Sequence, residues 1–273
     1  MSLRAAAKDA AKRLGAAGIP DADFEAELLA RKAAGVSRSH FFAGAAASRG
    51  ELARLHELIE RRLEREPAAY ITGSREFYGR QFAVGPGVLI PRPETELLVE
   101  VALAEITRSP GVVVADAGTG SGAIAVSIAA EAPATRVVGI DVSADALAIA
   151  ARNVAAHAPG TQLVRGDLLA PLDSAGIVLA NLPYIPTWEI DALEPEVSRW
   201  EPRVALDGGA DGFALIRRLI DDCDRRIRPR LLALEVGYGQ ADAAVAELRA
   251  RGRETRVVKD LAGIDRVVCA RWE

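Results

Sequence analysis

The tetrapeptide Asn181-Leu182-Pro183-Tyr184 places a side-chain amide, a rigid turn and an aromatic ring within four positions. That set suits a planar NH2 group. The Asn181 side-chain oxygen can accept one N–H, and the Leu182 backbone carbonyl the other. Pro183 fixes its own φ, so the two acceptors converge. Tyr184 offers a flat face for stacking. Amide and exocyclic amino nitrogens are poor nucleophiles because the lone pair is delocalised, as an amide rotation barrier of about 18–20 kcal/mol shows. Two acceptors at the N–H groups enrich the nitrogen and aim its lone pair. In-line positioning is worth roughly 7–11 kcal/mol more. The scheme needs no His or Cys nucleophile. The alternative reading is a plain turn after a strand.

A second candidate is Asp116-Ala117-Gly118-Thr119-Gly120-Ser121-Gly122. It follows an apolar strand and opens a helix, whose N-terminus offers free N–H groups. Its glycines run G-x-G-x-G, not the dinucleotide spacing G-x-G-x-x-G. The next strand ends in Asp141, an acceptor for two ribose hydroxyls. Together these features are more typical of S-adenosyl-L-methionine than of NAD. Gly118, Thr119, Gly120, Ser121 and Gly122 then cradle the methionine and ribose portion, and Asp116 helps bind the sulfonium end. Asp167, after the third strand, can accept the adenine amino group, with Leu168 packed on the ring. A ligand-free tight turn, a helix-capping Asp141 and a turn Asp167 are the alternatives.

These residues need strand ends to hold them. Strands are expected at 112–115, 136–140, 162–165, 177–180 and 231–235, with helices at 123–131, 144–156, 212–227 and 240–251. Continuous apolar strands alternating with helices predict a mostly parallel sheet covered on both faces. Residues 256–259 and 266–270 read as an antiparallel edge pair. The tetrapeptide and the glycine loop therefore share one sheet edge. Upstream, helical spacing is expected from Leu3 to Leu14. A second helix, capped by Asp21 or Asp23, has Phe24, Leu28 and Leu29 inward. Ser48 and Glu51 form a capping box on a third. A hairpin turns at Gly79. The two prolines of Ile90-Pro91-Arg92-Pro93 hold the chain extended, and Glu94 or Thr95 begins a helix over 96–106.

The 273 residues accommodate two domains, and 50% hydrophobic content supports a sizeable core. The two cysteines, Cys223 and Cys269, suggest neither a disulfide framework nor a metal knuckle. His40, His56 and His157 lie far apart and read as surface or capping residues, so no metal is expected. Residues 1–17 lack the apolar run of a secretory signal, and no apolar run is long enough for a membrane. Residues 1–75 hold 13 Lys/Arg against 10 Asp/Glu, a net +3; the rest hold 21 against 28, a net −7. A mildly basic head on an acidic body suits an anionic partner, although an ordinary mixed-charge surface explains it equally.

The chain resembles the release-factor glutamine N5-methyltransferases, the PrmC/HemK family of class I S-adenosyl-L-methionine-dependent methyltransferases. Five elements carry the resemblance. They are Gly73-Ser74-Arg75-Glu76-Phe77-Tyr78-Gly79, Leu89-Ile90-Pro91-Arg92-Pro93-Glu94-Thr95-Glu96, the glycine loop, the Asn181–Tyr184 turn and Arg199-Trp200-Glu201-Pro202. The resemblance implies an α/β, Rossmann-like catalytic domain over 91–273. It implies a substrate-recognising helical domain over 1–72 and a β-hairpin linker over 73–90. The implied reaction is methyl transfer to the glutamine amide of the Gly-Gly-Gln motif in class I peptide-chain release factors. Gly118 to Gly122, Asp141, Leu168 and Asn181 would contact the cofactor. Asn181 to Tyr184, with Arg92, would hold the glutamine. A cytoplasmic monomer that binds no nucleic acid directly is expected.

One departure is plain. The family's usual tetrapeptide is Asn-Pro-Pro-Tyr, and position 182 is leucine here. Asn-Leu-Pro-Tyr also occurs in ribosomal RNA adenine dimethyltransferases, so an RNA or DNA amino-methyltransferase is the second reading. That class predicts a basic body with base-stacking aromatics; this body is acidic and aromatics are 5%. A non-catalytic binding protein on the same scaffold is the third, opposed by the presence of Asp141, Asn181 and Tyr184.

Overall fold

Ser48 and Glu51 start the longest helix by satisfying each other's backbone. The Ser48 hydroxyl accepts from the Glu51 N–H, and the Glu51 carboxylate accepts from the Ser48 N–H at 2.7 Å. The computed structural model describes residues 1–44 and 46–272. Its contacts divide the chain into two compact units, 1–74 with 194–200, and 75–193 with 201–273.

The first unit is helical, with helices Leu3–Ala16, Ala22–Ala34, Arg38–Phe42, Arg49–Leu63 and Ala68–Thr72. Its core is built from Leu14, Ala26, Leu29, Ala30, Leu55 and Ile59. Residues 194–200, distant in sequence, join it. Arg62, 2% exposed, lies between the carboxylates of Glu25 at 2.5 Å and Glu196 at 2.8 Å. Two local expectations fail here. Phe24 is 55% exposed, because the buried stripe runs through Ala26, Leu29, Ala30 and Ala33, and Phe24 falls opposite it. Asp21 holds the N-cap position at φ +52, but its side chain makes no capping bond.

In the second unit, β1 (Ser74–Phe77) and β2 (Arg80–Ala83) form a hairpin, with Ser74 at the boundary between units. The main sheet follows. Its strands are β3 (Val113–Ala117), β4 (Arg136–Asp141), β5 (Gln162–Arg165), β6 (Ile177–Ala180), β7 (Leu231–Glu235), β8 (Glu254–Lys259) and β9 (Asp265–Arg271). Their order is β5-β4-β3-β6-β7-β9-β8. The first five pair in parallel; β9 is antiparallel to both β7 and β8. Both faces are covered, as the continuous apolar strands require. Ala115, Ala117, Val178, Ala180, Leu232 and Leu234 pack in one core, and Val114, Ile177, Leu179, Leu231 and Ala233 in the other. The helix expected over 212–227 is two pieces, an α-helix Ala214–Asp222 and a π-turn Cys223–Ile227.

The strand order has a functional consequence. The chain runs from β3 outward to β4 and β5, then returns to β6 on the other side of β3. The crevice at the carboxyl ends of β3 and β6 is therefore the topological switch point, where open α/β sheets bind ligands. The glycine loop leaves β3 there, and Asn181 leaves β6.

Candidate active site

A cavity of about 360 Å³ opens at this switch point. That volume lies in the range of small-molecule sites. Its wall includes Gly118, Thr119, Gly120, Ser121, Asp141, Asp167, Leu168, Asn181, Leu182 and Pro183. Four expected site residues lie off this wall: Asp116, Gly122, Tyr184 and Arg92.

The loop is held from below. The N–H groups of Gly118 and Thr119 donate to the Ile140 carbonyl at 2.9 and 2.8 Å. Gly118 has φ +76, and a Cβ there would stand 3.0 Å from the Leu182 side chain. Glycine thus lets the loop and the tetrapeptide approach each other. Gly122, at φ +81, N-caps the Ala123–Glu131 helix and packs against Ala150. Asp116, expected at the cationic end of the ligand, is instead wholly buried. One oxygen accepts from the Thr119 hydroxyl at 2.6 Å and the Ala125 N–H at 3.2 Å, while Oδ1 has no partner. Burial pushes its carboxyl up to about 7. Its position braces the loop rather than lining the cavity.

Asp141 is pinned by two backbone donors, Gly120 N–H on Oδ2 and Ser143 N–H on Oδ1, both at 2.8 Å. Each oxygen keeps a lone pair for a further donor. Leu168, at φ +50, is buried at the wall. Asp167 is paired with Arg218 at 2.5 Å. Arg218 also lines the cavity, and nothing in its sequence context marked it. The cavity is mostly apolar, with a backbone-held carboxylate at one side and a loop free of Cβ at Gly118. These residues fit S-adenosyl-L-methionine.

The Asn181 amide is half committed. Its Nδ2 donates to the Thr95 hydroxyl at 3.1 Å. Among the described residues, nothing donates to Asn181 Oδ1 or to the Leu182 carbonyl. The turn is secured further along. Ile185 N–H donates to Leu206 at 3.1 Å, and the Gln240 amide donates to the Tyr184 carbonyl at 2.8 Å. The Tyr184 ring packs onto the core beside Gly237, and burial, with the nearby Glu235, pushes its phenol up to about 12. Arg92 binds Glu201 at 2.5 Å and the Ile90 carbonyl at 2.9 Å, while Glu201 also accepts from the Ile90 N–H. This clamp shapes the Pro91 wall and occupies the guanidinium.

Sequence reasoning missed the part Thr95 plays at Asn181. Thr95 takes the N-cap position of the Glu96–Arg108 helix but makes no capping bond. Its hydroxyl instead accepts from the Asn181 amide.

Among the described residues no helix is long and apolar enough to cross a membrane, and no group of three or more His, Cys, Asp and Glu gathers to hold a metal. Residues 5–73 match the PrmC N-terminal domain, and 93–191 the methyltransferase small domain. The release factor glutamine methyltransferase of Caulobacter vibrioides is 43% identical, covering 96% of this chain and 93% of its own. That of Koribacter versatilis is 39% identical over 99% of both. Among solved structures, a methyltransferase from Pyrococcus furiosus matches with a TM-score of 0.53 at 15% identity, covering 71% of this chain and 90% of its own. A human methyltransferase 10 domain containing protein matches at 0.51 and 17%, covering 68% and 86%. These two likenesses speak to the fold alone. By its near-full-length relatives, the chain belongs to the release factor glutamine methyltransferases, a family of S-adenosyl-L-methionine-dependent enzymes.

Proposed function

We propose that this enzyme methylates the side-chain amide nitrogen of the glutamine in the Gly-Gly-Gln motif of class I release factors. One observation carries the reading. Asn181 and Leu182 present two free carbonyl oxygens, with the asparagine nitrogen already engaged by Thr95. Two acceptors match an NH2 group. Glycine loop residues Gly118 to Gly122, with Asp141, Leu168 and Asn181, hold the cofactor, and Asp167 faces its adenine. S-adenosyl-L-methionine supplies an electrophilic methyl on a cationic sulfonium.

The protein's part is binding and orientation. Asn181 Oδ1 accepts one N–H of the substrate amide, and the Leu182 carbonyl accepts the other. Both hydrogen bonds strengthen as the nitrogen gains positive character, so they favour the transition state over the ground state. As the nitrogen bonds the methyl, the methyl's bond to sulfur would break to leave a neutral thioether, and the surplus N–H proton would pass to solvent. Pro183 holds the second acceptor in place, and Tyr184 fixes the turn from the core side. The leucine at 182 acts through its carbonyl, so the departure from the family's proline leaves the acceptor pair intact.

Residues 1–72 serve as the release-factor-recognising domain, 73–90 as the linker and 91–273 as the catalytic domain. We place the enzyme in the cytoplasm, as a monomer. Incubation with methyl-labelled cofactor and a release factor tests the reading. Label on the motif glutamine is expected; label only in ribosomal RNA would overturn it in favour of adenine methylation.

A further inference from the structure

Asn153 lies in the helix Ala144–His157, is 2% exposed, and stands off the cavity wall. A buried amide has to be paired, and this one is paired three times. Its Oδ1 accepts from the Ala83 N–H at 2.7 Å, and its Nδ2 donates to the Ala83 carbonyl at 3.0 Å. The side chain therefore meets strand β2 as a neighbouring peptide group would. The other proton on Nδ2 goes to the Ser121 carbonyl at 2.8 Å. A flipped amide would set its NH2 against the Ala83 N–H and its oxygen against two carbonyls. The partners thus allow one orientation only.

These partners lead to different parts of the cavity. Ser121 belongs to the glycine loop and lines the cavity itself. Ala83 ends β2, and the chain just beyond it supplies Gly87, Val88, Leu89 and Pro91 to the wall. That segment is held at its far end by Glu201, which accepts from the Ile90 N–H. At its near end it continues β2, which the helix grips through Asn153 and again at Gln81, whose carbonyl is 2.8 Å from His157 Nε2. The same helix supports the loop from below, where Ala150 packs against Gly122, and its start brings Ser143 and Ala146 to the cavity.

We infer that Asn153 is a positioning residue for cofactor binding: its amide sets the spacing between the glycine loop and the segment 84–91, so that the cavity is formed before S-adenosyl-L-methionine enters. A site already in its binding geometry leaves no ordering cost to offset, and the measured affinity rises with the fraction of protein in that geometry. The inference rests on the reading that the glycine loop holds the cofactor. It does not depend on the identity of the methyl acceptor.

The test is calorimetric titration of the full-length protein with S-adenosyl-L-methionine and with S-adenosyl-L-homocysteine, alongside urea unfolding. Asn153→Leu keeps the size of the side chain and removes its hydrogen bonds. The Kd for both ligands is expected to rise about 10-fold, the scale of leaving one buried polar group unpaired. The KM for the cofactor should rise with it, while kcat at saturating cofactor stays within about threefold of wild type, the split expected when only the ground-state site is disturbed. Asn153→Asp sets a carboxylate against the Ala83 and Ser121 carbonyls and should weaken binding at least as much. Val154→Ala is the control. Val154 follows Asn153 on the same helix, packs in the core and lies off the cavity wall. It should lower the urea midpoint as Asn153→Leu does, yet leave both Kd values within about twofold, since its loss is one of core volume.

An Asn153→Leu protein with wild-type Kd values would overturn the inference. So would equal weakening in Val154→Ala, which would trace the effect to a loosened helix. If Asn153→Leu does not fold, Asn153→Asp decides by the same criteria. Gly118→Ala in the same titration tests the glycine-loop reading by itself. An unchanged Kd there removes that reading and this inference with it. Weakened binding in Gly118→Ala beside an unaffected Asn153→Leu removes only the inference.

Discussion

Gly118 and Leu182 meet across the switch point of the sheet, with only 3.0 Å between a Cβ on Gly118 and the Leu182 side chain. The glycine loop and the Asn181–Tyr184 turn therefore share a wall. A methyl group at position 118 faces both this contact and a backbone at φ +76. Gly118→Ala should destabilise the fold by about 1–2 kcal/mol and weaken cofactor binding. Calorimetric titration with S-adenosyl-L-methionine and thermal unfolding check both effects. Unchanged affinity would mean the loop does not shape the cofactor site.

Leu182→Pro separates side chain from carbonyl. No described group depends on the Leu182 N–H, so the change removes no hydrogen bond. The turnover should stay within several-fold of wild type. Stability should drop by roughly 1–3 kcal/mol, because Leu182 is 4% exposed and packs in the core. A large loss of rate with full stability would show that position 182 acts through more than its backbone.

Asp116 and Glu235 make stability depend on pH in an unusual direction. Burial raises both folded-state values to about 7. Between the ordinary carboxylate range and pH 7 the folded protein holds protons that the unfolded chain has released. The stability from these two groups is therefore full at acid pH and lost as pH rises through about 7. Asp116→Asn should remove its share, on the order of a few kcal/mol over that window. Urea unfolding of wild type and variant at several pH values measures the difference. A parallel pair of curves would mean that Asp116 titrates normally.

Arg62 holds Glu25 and Glu196 within the helical unit while only 2% exposed. Removing it leaves two half-buried carboxylates, Glu25 without a cation and Glu196 with Arg65 alone. Arg62→Ala should destabilise this unit by about 3–5 kcal/mol. Hydrogen exchange should speed up in 1–74 and 194–200 first. Uniform loss of protection over the whole chain would instead tie the effect to global unfolding.

Much of this architecture was legible in the sequence because its signals are local. Strands 162–165, 177–180 and 231–235 and the helix 123–131 are bounded as expected, since continuous apolar runs end at turn residues. The capping box at Ser48 and Glu51 needs only a three-residue spacing. Other features depend on partners far away in sequence. Glu196 joins Arg62 across 134 positions of sequence. Thr95 reads as a helix cap until the Asn181 amide arrives at its hydroxyl. Asp116 carries the right chemistry for a cationic ligand, but side-chain direction at a strand end is set by the loop above it. Arg92 likewise reads as a substrate contact until Glu201 is seen to hold it.

The central claim is that Asn181 Oδ1 and the Leu182 carbonyl receive the glutamine amide. Single-turnover transfer of labelled methyl to a class I release factor, compared between wild type and Asn181→Ala, tests it most directly. The account predicts label on the Gly-Gly-Gln glutamine with wild type, and a rate lower by about 10²–10³ in a folded Asn181→Ala enzyme. An Asn181→Ala enzyme that labels that glutamine at the wild-type rate would contradict it.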